Sequence, residues 1–475
     1  MPLRGSVSSS LAQTGSFGRM QGRRLATQFL NVQSGSFGRV IATNFAGDGS
    51  QLTDISVDLP AEIISSSNGT LHVNGLITQG GVGSGTQNVF IGGNAGGAPD
   101  NTGTIRSVII GNTAASKLTT GDYAVAIGYK AGGATDTATG DHNQFVAIGS
   151  SAGEKIKTNA SRFVLIGTGA GGQVISPSNS VMIGFNAGAL SYSGSVNILI
   201  GYQAGIAMGN GVGETPNNNI AIGYQAMRDA GDVTYNVAVG YEALRNITGF
   251  NNTAVGKNAL NGHIDGDSNI AIGAEAMMDA GEDGKTLDSN TAMGAAALQS
   301  LETGNHNVAI GTNAMQRAIT SSNNIAIGYR SMFSNNHSND SVRGTYGSEN
   351  TVIGSNAAYS ATGSSFHANV ILGSYAGFQT KGKENVLIGE YAGHDLESGQ
   401  HNVVVGAQSA RFSNTFETNT NSVLVGYRTE ASADGNSNEN VFGNNATGQG
   451  SNTVTLGNAS VTDIYMAQDS GATIH

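Results

Sequence analysis

Apolar residues come in short runs of three that recur along most of the chain. A typical run is Ile220-Ala221-Ile222, with Asn219 before it and Gly223 after it. Such a run, often rich in β-branched residues, is too short for a helix and predicts a strand. Because successive strand side chains point to opposite faces, three apolar residues in a row predict that both faces of the strand are covered.

The Gly after each run marks a repeat that occurs 21 times, from Gly92 to Gly457. Successive copies are 17 residues apart in nine of the twenty intervals and 14 to 26 residues apart in the others. A unit of this size cannot bury its apolar side alone, but identical stacked units can. The repeat therefore predicts an all-β fold, a parallel β-solenoid whose coils stack roughly 4.8 Å apart over a length of about 100 Å.

Three positions of the repeat have a structural interpretation. The Gly suits a bend or a close backbone approach. The third residue after it is Ala in 17 copies and Ser or Thr in the other four, which predicts a tight inner corner. The fourth residue before it is Asn in 13 copies, which predicts a column of side chains hydrogen-bonded from coil to coil. We take as representative structural residues Gly223, Ala226, Gly256, Ala259, Gly311 and Ala314.

The composition agrees with a fibrous protein better than with a globular enzyme. The 475 residues include 71 Gly, five Pro, no Trp and no Cys, and only 6% are aromatic. An enzyme of this length would normally form two or three domains with a more aromatic core. The lack of Cys excludes a disulfide scaffold and thiolate metal sites. A net charge of −11 argues against nucleic acid as a partner of the rod.

The chain divides into four predicted segments. Residues 1–45 form a basic arm, 46–86 a connector of short strands, 87–460 the repeat rod, and 461–475 a cap or tail. The start has no apolar segment typical of a secretion signal, and no later apolar run is long enough to span a membrane. We therefore expect no membrane insertion.

The arm concentrates positive charge. Up to Gly47 the chain carries five Arg and no acidic residue, so the charge of +5 there leaves −16 for the remainder. The arm is either a solvated segment or an attachment segment that docks on an acidic partner, and the charge asymmetry favours attachment. The predicted attachment residues are Arg4, Arg19, Arg23, Arg24 and Arg39.

The longest interval between repeats, from Gly328 to Gly354, predicts a loop that bulges from its coil. Because the repeat core is committed to stacking, recognition of a receptor falls to such loops. The candidate receptor residues are His337, Asp340, Arg343 and Tyr346. The alternative is that this loop only packs against a neighbouring subunit or another protein of the same assembly.

The repeat resembles those of two known families. Residues 252–260, Asn-Thr-Ala-Val-Gly-Lys-Asn-Ala-Leu, are similar to the repeats of bacteriophage tail fibres and to the head repeat of YadA-like trimeric adhesins. Residues 45–53 are also similar to phage fibre sequences. The resemblance covers about residues 87–460. It implies a left-handed parallel β-roll and a homotrimer, in which one strand face fills each chain's core and the other meets its neighbours.

Motifs for catalysis or cofactors are weak. Gly281–Thr286 superficially resembles a P-loop, but Asp279 stands where the motif needs Gly. The segment 434–439 has oxygen ligands at alternate positions but lacks the Gly of a calcium loop, so a polar turn is favoured. His394 and His401 are seven residues apart and match no metal-binding spacing. We expect no catalytic residue, no metal, no cofactor and no enzymatic activity.

Three functions are compatible with this pattern. The first is a structural fibre of a virus particle, a phage tail fibre or spike that takes part in host attachment and is located in the virion. Its partners would be two further copies of the chain, tail, baseplate or portal proteins at the N-terminus, and a host surface glycan or protein. The second is a bacterial surface adhesin or a fibre of a contractile injection system. The third is a spike that cleaves polysaccharide.

Overall fold

The structure is a computed structural model, and it describes residues 89–96, 106–118, 123–133, 143–156, 160–190, 194–209, 214–262, 265–279, 287–333, 344–345, 347–361, 365–411 and 415–464. All of these belong to the unit Gly75–His475. The described residues contain strands and turns but no helix. The predicted fold class is confirmed, because these strands stack into a parallel β-solenoid.

Nearly every repeat contributes one three-residue strand at its apolar run. The strands are β1 (Val89–Ile91), β2 (Val108–Ile110), β3 (Ala124–Ile127), β4 (Asn143–Ile148), β5 (Ser161–Ile166), β6 (Val181–Ile183), β7 (Ile198–Ile200), β8 (Ile220–Ile222), β9 (Val237–Val239), β10 (Thr253–Val255), β11 (Ile270–Ile272), β12 (Thr291–Met293), β13 (Val308–Ile310), β14 (Ala318–Thr320), β15 (Ile325–Ile327), β16 (Gly344–Thr345), β17 (Thr351–Ile353), β18 (Val370–Leu372), β19 (Val386–Ile388), β20 (Val403–Val405), β21 (Val423–Val425), β22 (Asn440–Phe442) and β23 (Val454–Leu456).

Equivalent positions of successive coils pair with each other. Twenty-one strands form one parallel sheet, and the remaining two, β14 and β16, pair separately. In the main sheet Ile220 of β8 lies beside Val237 of β9, and Ala221 lies beside Ala238. Backbone hydrogen bonds also join coils outside the strands, for example from Leu244 N to Ala259 O at 3.0 Å. The hand of the solenoid and the number of chains in an assembly stay predictions.

In nearly all three-residue strands of the main sheet, the middle residue points into the coil and the two flanking residues point out. In β11 Ala271 is fully buried, whereas Ile270 and Ile272 are 39% and 37% exposed. The expectation that a neighbouring chain covers the outer face stays a prediction. Among the described residues, the inner face is covered by the rest of its own coil, whereas the outer face stays half-buried to exposed.

Two positions of each repeat line the core, the middle residue of the strand and the fourth residue after the Gly, and in most coils one of them is large and the other small. Ala309, the middle residue of β13, shares its coil with buried Met315, four residues after the Gly. In another coil the middle residue is the larger Leu199, and Gly205 takes the place of that Met. A Cβ on Gly205 would lie 2.9 Å from Leu199 Cδ2. Most coils thus fill the same inner volume with one large side chain. In the coils of Ala126 and Ala147 both positions are small, and the buried Phe145 and Ile156 lie beside that space instead.

The Gly column is set by backbone crowding between coils. Gly311 has a φ of +132°, which side chains other than that of Gly rarely adopt. A Cβ at this position would lie 2.5 Å from the carbonyl oxygen of Gly328 in the next coil. The residue is Gly for both reasons, since any side chain would strain the backbone and push the coils apart.

The Asn column forms as the sequence predicts. Asn307 Oδ1 accepts hydrogen bonds from the backbone N (3.1 Å) and Nδ2 (3.3 Å) of Asn324. Its own Nδ2 donates to Asn290 Oδ1 at 3.0 Å and to Ser321 O at 2.7 Å. Twelve consecutive coils carry a buried Asn at this position: Asn197, Asn219, Asn236, Asn252, Asn269, Asn290, Asn307, Asn324, Asn350, Asn369, Asn385 and Asn402. The column satisfies buried backbone groups at a corner where no strand pairs.

Candidate functional site

The outer strand face is an apolar surface that follows the whole main sheet. It consists of the two outward-facing residues of each of the 21 strands, the third and the first before each repeat Gly. Only Thr253, Thr291, Thr351 and Asn440 among these residues are polar, and none is charged. Its side chains are half-buried in most coils and exposed at others, for example Ile91 (46%), Ile353 (40%) and Leu456 (45%).

The size of the outer strand face exceeds what isolated proteins expose. Coils roughly 4.8 Å apart give it a length of about 100 Å, and the two columns of side chains are about 7 Å apart. That is an area of roughly 700 Å² in projection, compared with 300–600 Å² for the largest apolar patch of a typical monomer. A surface of this extent with no charge is typical of an interface.

A second surface lies on the turn side of four adjacent coils, where aromatic side chains stack in two rows. In the first row Tyr359 and Phe378 have ring centroids 4.9 Å apart and planes 5° from parallel. In the second, Tyr375 and Tyr391 have centroids 5.0 Å apart. We call this surface the aromatic trough: the first row of Phe333, Tyr359, Phe378 and His394, the second row of Tyr375 and Tyr391, and at the ends Arg317, Arg330 and Arg411.

The two rows adjoin each other within two of the coils, with their rings tilted rather than parallel. The rings of Tyr375 and Phe378 are inclined by 31° with centroids 5.8 Å apart, and those of Tyr391 and His394 by 43° at 5.7 Å. His394 Nδ1 lies 2.6 Å from an oxygen of Asp395, which fixes the orientation of the imidazole. The aromatic trough is therefore an ordered array of stacked rings rather than a set of independent side chains.

A separate aromatic row lies nearer the N-terminus. Phe185, Tyr202, Tyr224 and Tyr241 occupy the position after the repeat Gly in four successive coils, with centroids 4.9 to 5.4 Å apart. They are 41–46% exposed. The carboxylate of Glu242 raises the pKa of Tyr241, and burial adds to that rise. This is a single row, so it forms no groove of its own.

The segment 434–439 is a polar turn in the structure. Asp434 Oδ1 accepts hydrogen bonds from Thr418 N at 2.7 Å and from Thr418 Oγ1 at 3.0 Å. Burial raises the pKa of Asp434, but these hydrogen bonds and one from the backbone of Gly435 outweigh it, so the pKa is lowered overall. The buried Glu439 accepts from Gly450 N at 2.8 Å and from Asn436 Nδ2 at 3.0 Å. Donors of the protein thus occupy both carboxylates, and the described residues contain no cluster of three metal-binding side chains.

Several predicted site residues lie outside the described residues. They are the attachment residues Arg4, Arg19, Arg23, Arg24 and Arg39 and the receptor residues His337, Asp340, Arg343 and Tyr346. Their predicted roles stay predictions. The representative repeat residues are all described, and Ala226, Ala259 and Ala314 are fully buried at the inner corner.

The aromatic trough was missed from the sequence, although a signal for it is present. Phe333, Tyr359, Phe378 and His394 all stand five residues after a repeat Gly, and Tyr375 and Tyr391 stand two residues after one. Residues at equal offsets stack in a solenoid, so aligning the repeats on their Gly would have placed these rings in columns.

Comparisons with known proteins add no family: no family model matches the chain, and no curated protein matches it. The described part of the chain contains no helix that is long and apolar enough to cross a membrane.

Proposed function

We propose that this chain is the structural subunit of a virus fibre, a tail fibre or spike that takes part in host attachment, and that it works as a homotrimer. The outer strand face carries the proposal. A chain with about 100 Å of uncharged apolar surface needs a partner with the same repeat, and an identical chain supplies that repeat in register. The number three and the viral role rest on the resemblance of the repeat to trimeric adhesin heads and phage fibres.

The solenoid has an architecture suited to a long structural rod. Each coil bonds to the next through the strand ladder, the turn backbone and the Asn column. The contacts are all between neighbouring coils, so the length grows with the number of repeats and needs no globular core. Packing of the outer strand faces would join three such rods along their whole length.

The interface can be tested by charge substitution. Combining Ile222→Asp with Ile272→Asp places carboxylates on the outer strand face but leaves the buried Ala221 and Ala271 in place. Three chains would then bury these charges together, so we expect the trimer to dissociate or to form only at high protein concentration. The control pair, Ser300→Asp with Ser398→Asp, adds the same charge on the loop side. Analytical ultracentrifugation reads the mass, and equal behaviour of both variants would refute the interface.

The viral role is tested by locating the protein. Antibody-labelled electron microscopy of particles from cells that make this chain should show the label on a fibre or spike of a virion. Label on the bacterial cell surface, or on a contractile apparatus without a genome, would replace the viral role with the adhesin or injection-system alternative.

A further inference from the structure

The aromatic trough is unusual in this chain because aromatic residues are scarce elsewhere. Only 6% of the residues are aromatic, yet four adjacent coils place six ring side chains on one surface. The trough runs along the coil axis for about 20 Å at the coil spacing. Stacking alone would stabilise these coils, but it requires only one row, as in Phe185 to Tyr241. The second row and the charges at the ends call for another explanation.

The parts of the rings that face solvent are their edges. Within each row a neighbouring ring covers the flat face at about 5 Å, so Tyr359 lies between Phe333 and Phe378. Ring edges carry partial positive charge, and tyrosine adds a hydroxyl that donates and accepts hydrogen bonds. Such a surface attracts oxygen-rich groups. It does not offer the free ring faces on which nucleobases stack.

Both ends of the trough carry guanidinium groups. The Arg411 guanidinium carbon lies 3.5 Å from the centroid of the Tyr391 ring. At the opposite end, those of Arg317 and Arg330 lie 5.5 and 5.1 Å from the centroid of Phe333. Arg330 Nε is buried and has no hydrogen-bond partner among the described residues. A guanidinium stacked on a ring keeps the geometry that pairs with a carboxylate through two N–H groups.

The trough is held in place before any ligand arrives. The rings are partly buried, and backbone hydrogen bonds tie their coils together, from Ser360 N to Phe378 O at 2.8 Å and from Gln379 N to His394 O at 3.1 Å. Gln379 Nε2 also donates to Asp395 at 3.2 Å, next to His394. A preformed surface loses little conformational entropy on binding, so weak polar contacts repeated along it are enough for recognition.

We propose that the aromatic trough binds a linear acidic polysaccharide, one whose sugar units carry carboxylates. The polymer would lie along the coil axis, with its hydroxyl oxygens against ring edges and tyrosine hydroxyls and its carboxylates on the terminal arginines. In a chain of net charge −11, arginines at both ends of one aromatic surface favour an anionic ligand there. The inference rests on the proposed function, because a host-attachment fibre needs a surface that recognises the host.

Binding can be measured on the purified full-length protein by biolayer interferometry. The immobilised probes are hyaluronan, polygalacturonate and polysialic acid, with neutral dextran and poly-L-glutamate as comparisons. We expect at least one acidic polysaccharide to bind, dextran and polyglutamate to bind at least tenfold more weakly, and rising salt to weaken binding. If none of the three polysaccharides binds, the proposal is wrong. If polyglutamate binds as tightly, the ligand is an acidic protein segment instead.

Matched variants separate recognition from stability. Arg330→Gln with Arg411→Gln should weaken polysaccharide binding at least tenfold, whereas Arg228→Gln with Arg245→Gln, beside the other aromatic row, should leave it unchanged. Equal effects of the two pairs would overturn the assignment of the site.

The rings are tested in the same way. Tyr375→Ala with Tyr391→Ala should abolish binding, and Tyr202→Ala with Tyr224→Ala should preserve it although it removes equivalent stacking. Tyr391→Phe keeps the ring and deletes only its hydroxyl, so it should fold normally and weaken polysaccharide binding severalfold. If this variant and the Tyr375→Ala, Tyr391→Ala variant both bind with full affinity, the aromatic trough is not the binding site. The mass of the same samples tests the trimer independently. A trimer without binding refutes only this inference, and a monomer that binds refutes only the proposed assembly.

Discussion

The Asn column offers a sharp test of what holds successive coils together. Replacing Asn307 by Ala removes the acceptor for Asn324 N and the donor to Ser321 O. Neither backbone group has another partner among the described residues, and Asn307 is fully buried. Each orphaned buried group costs about 1–3 kcal/mol, which gives about 2–6 kcal/mol for Asn307→Ala.

The assay should resolve single coils, because a stack of repeats need not unfold as one unit. Amide hydrogen exchange read by mass spectrometry reports the opening of β12, β13 and β15 separately from the ends of the solenoid. A loss of at least about 2 kcal/mol corresponds to exchange at least about 30-fold faster in these strands. More distant strands should change less, since contacts join only neighbouring coils.

The matched control is Asn444→Ala, which removes an exposed Asn side chain from the position after a repeat Gly. It should leave exchange in its own coil nearly unchanged. If the amide exchange rates of the Asn307→Ala variant equal those of the unmodified chain, or if both variants change them equally, the Asn column does not contribute the stability assigned to it.

Three further substitutions test the coil interior, the Gly column and the polar turn. Ala309→Leu should overpack its coil by about 1–3 kcal/mol in thermal unfolding, and adding Met315→Gly should recover part of that loss because the pair restores one large side chain per coil. Gly450→Ala should lower the free energy of unfolding by about 1–3 kcal/mol because of its φ of +113°, since the new Cβ would meet no atom within 4 Å. Gly311→Ala should lower it more, because the new Cβ also meets the next coil. Equal losses of stability would contradict the crowding between coils. The lowered pKa of Asp434 stabilises the folded turn above the unfolded pKa of about 3.9, and this is lost as the pH falls through the lower folded pKa, so Asp434→Asn should flatten that dependence in amide exchange at low pH.

Much of the fold could be predicted from the sequence because one short pattern recurs 21 times. The triplet at Ile220 became β8 with the predicted bounds, and the Asn column formed where the recurring Asn indicated. A chance match at one position is common, but the same match in successive coils is not. Repetition therefore made strand position and parallel register predictable.

The orientation of the strand could not be read from the sequence. In β8 the small Ala221 points inward and the larger Ile220 and Ile222 point outward, which reverses the usual burial of large apolar residues. The reason lies elsewhere in the coil, where Met227 fills the inner volume. The sequence of three apolar residues does not show which of them points into the coil, because that depends on how much space the other side chains of the coil leave.

Backbone conformation and the aromatic trough were also beyond the sequence pattern. Leu260 and Met277 adopt φ values of +52° and +51°, a region that such residues normally avoid. Pairing with adjacent coils imposes this conformation, so it depends on stacking rather than on local preference. The trough arises in the same way, from residues 16 to 26 positions apart that are neighbours only because the coils stack.

The mass of the full-length protein in solution tests the central claim most directly. If the outer strand face is an interface between copies, sedimentation equilibrium at micromolar concentration should give three times the chain mass of 48.1 kDa, and dilution should not release single chains. A stable, soluble species with the mass of one chain would show that the face stays exposed, and it would contradict the trimeric fibre.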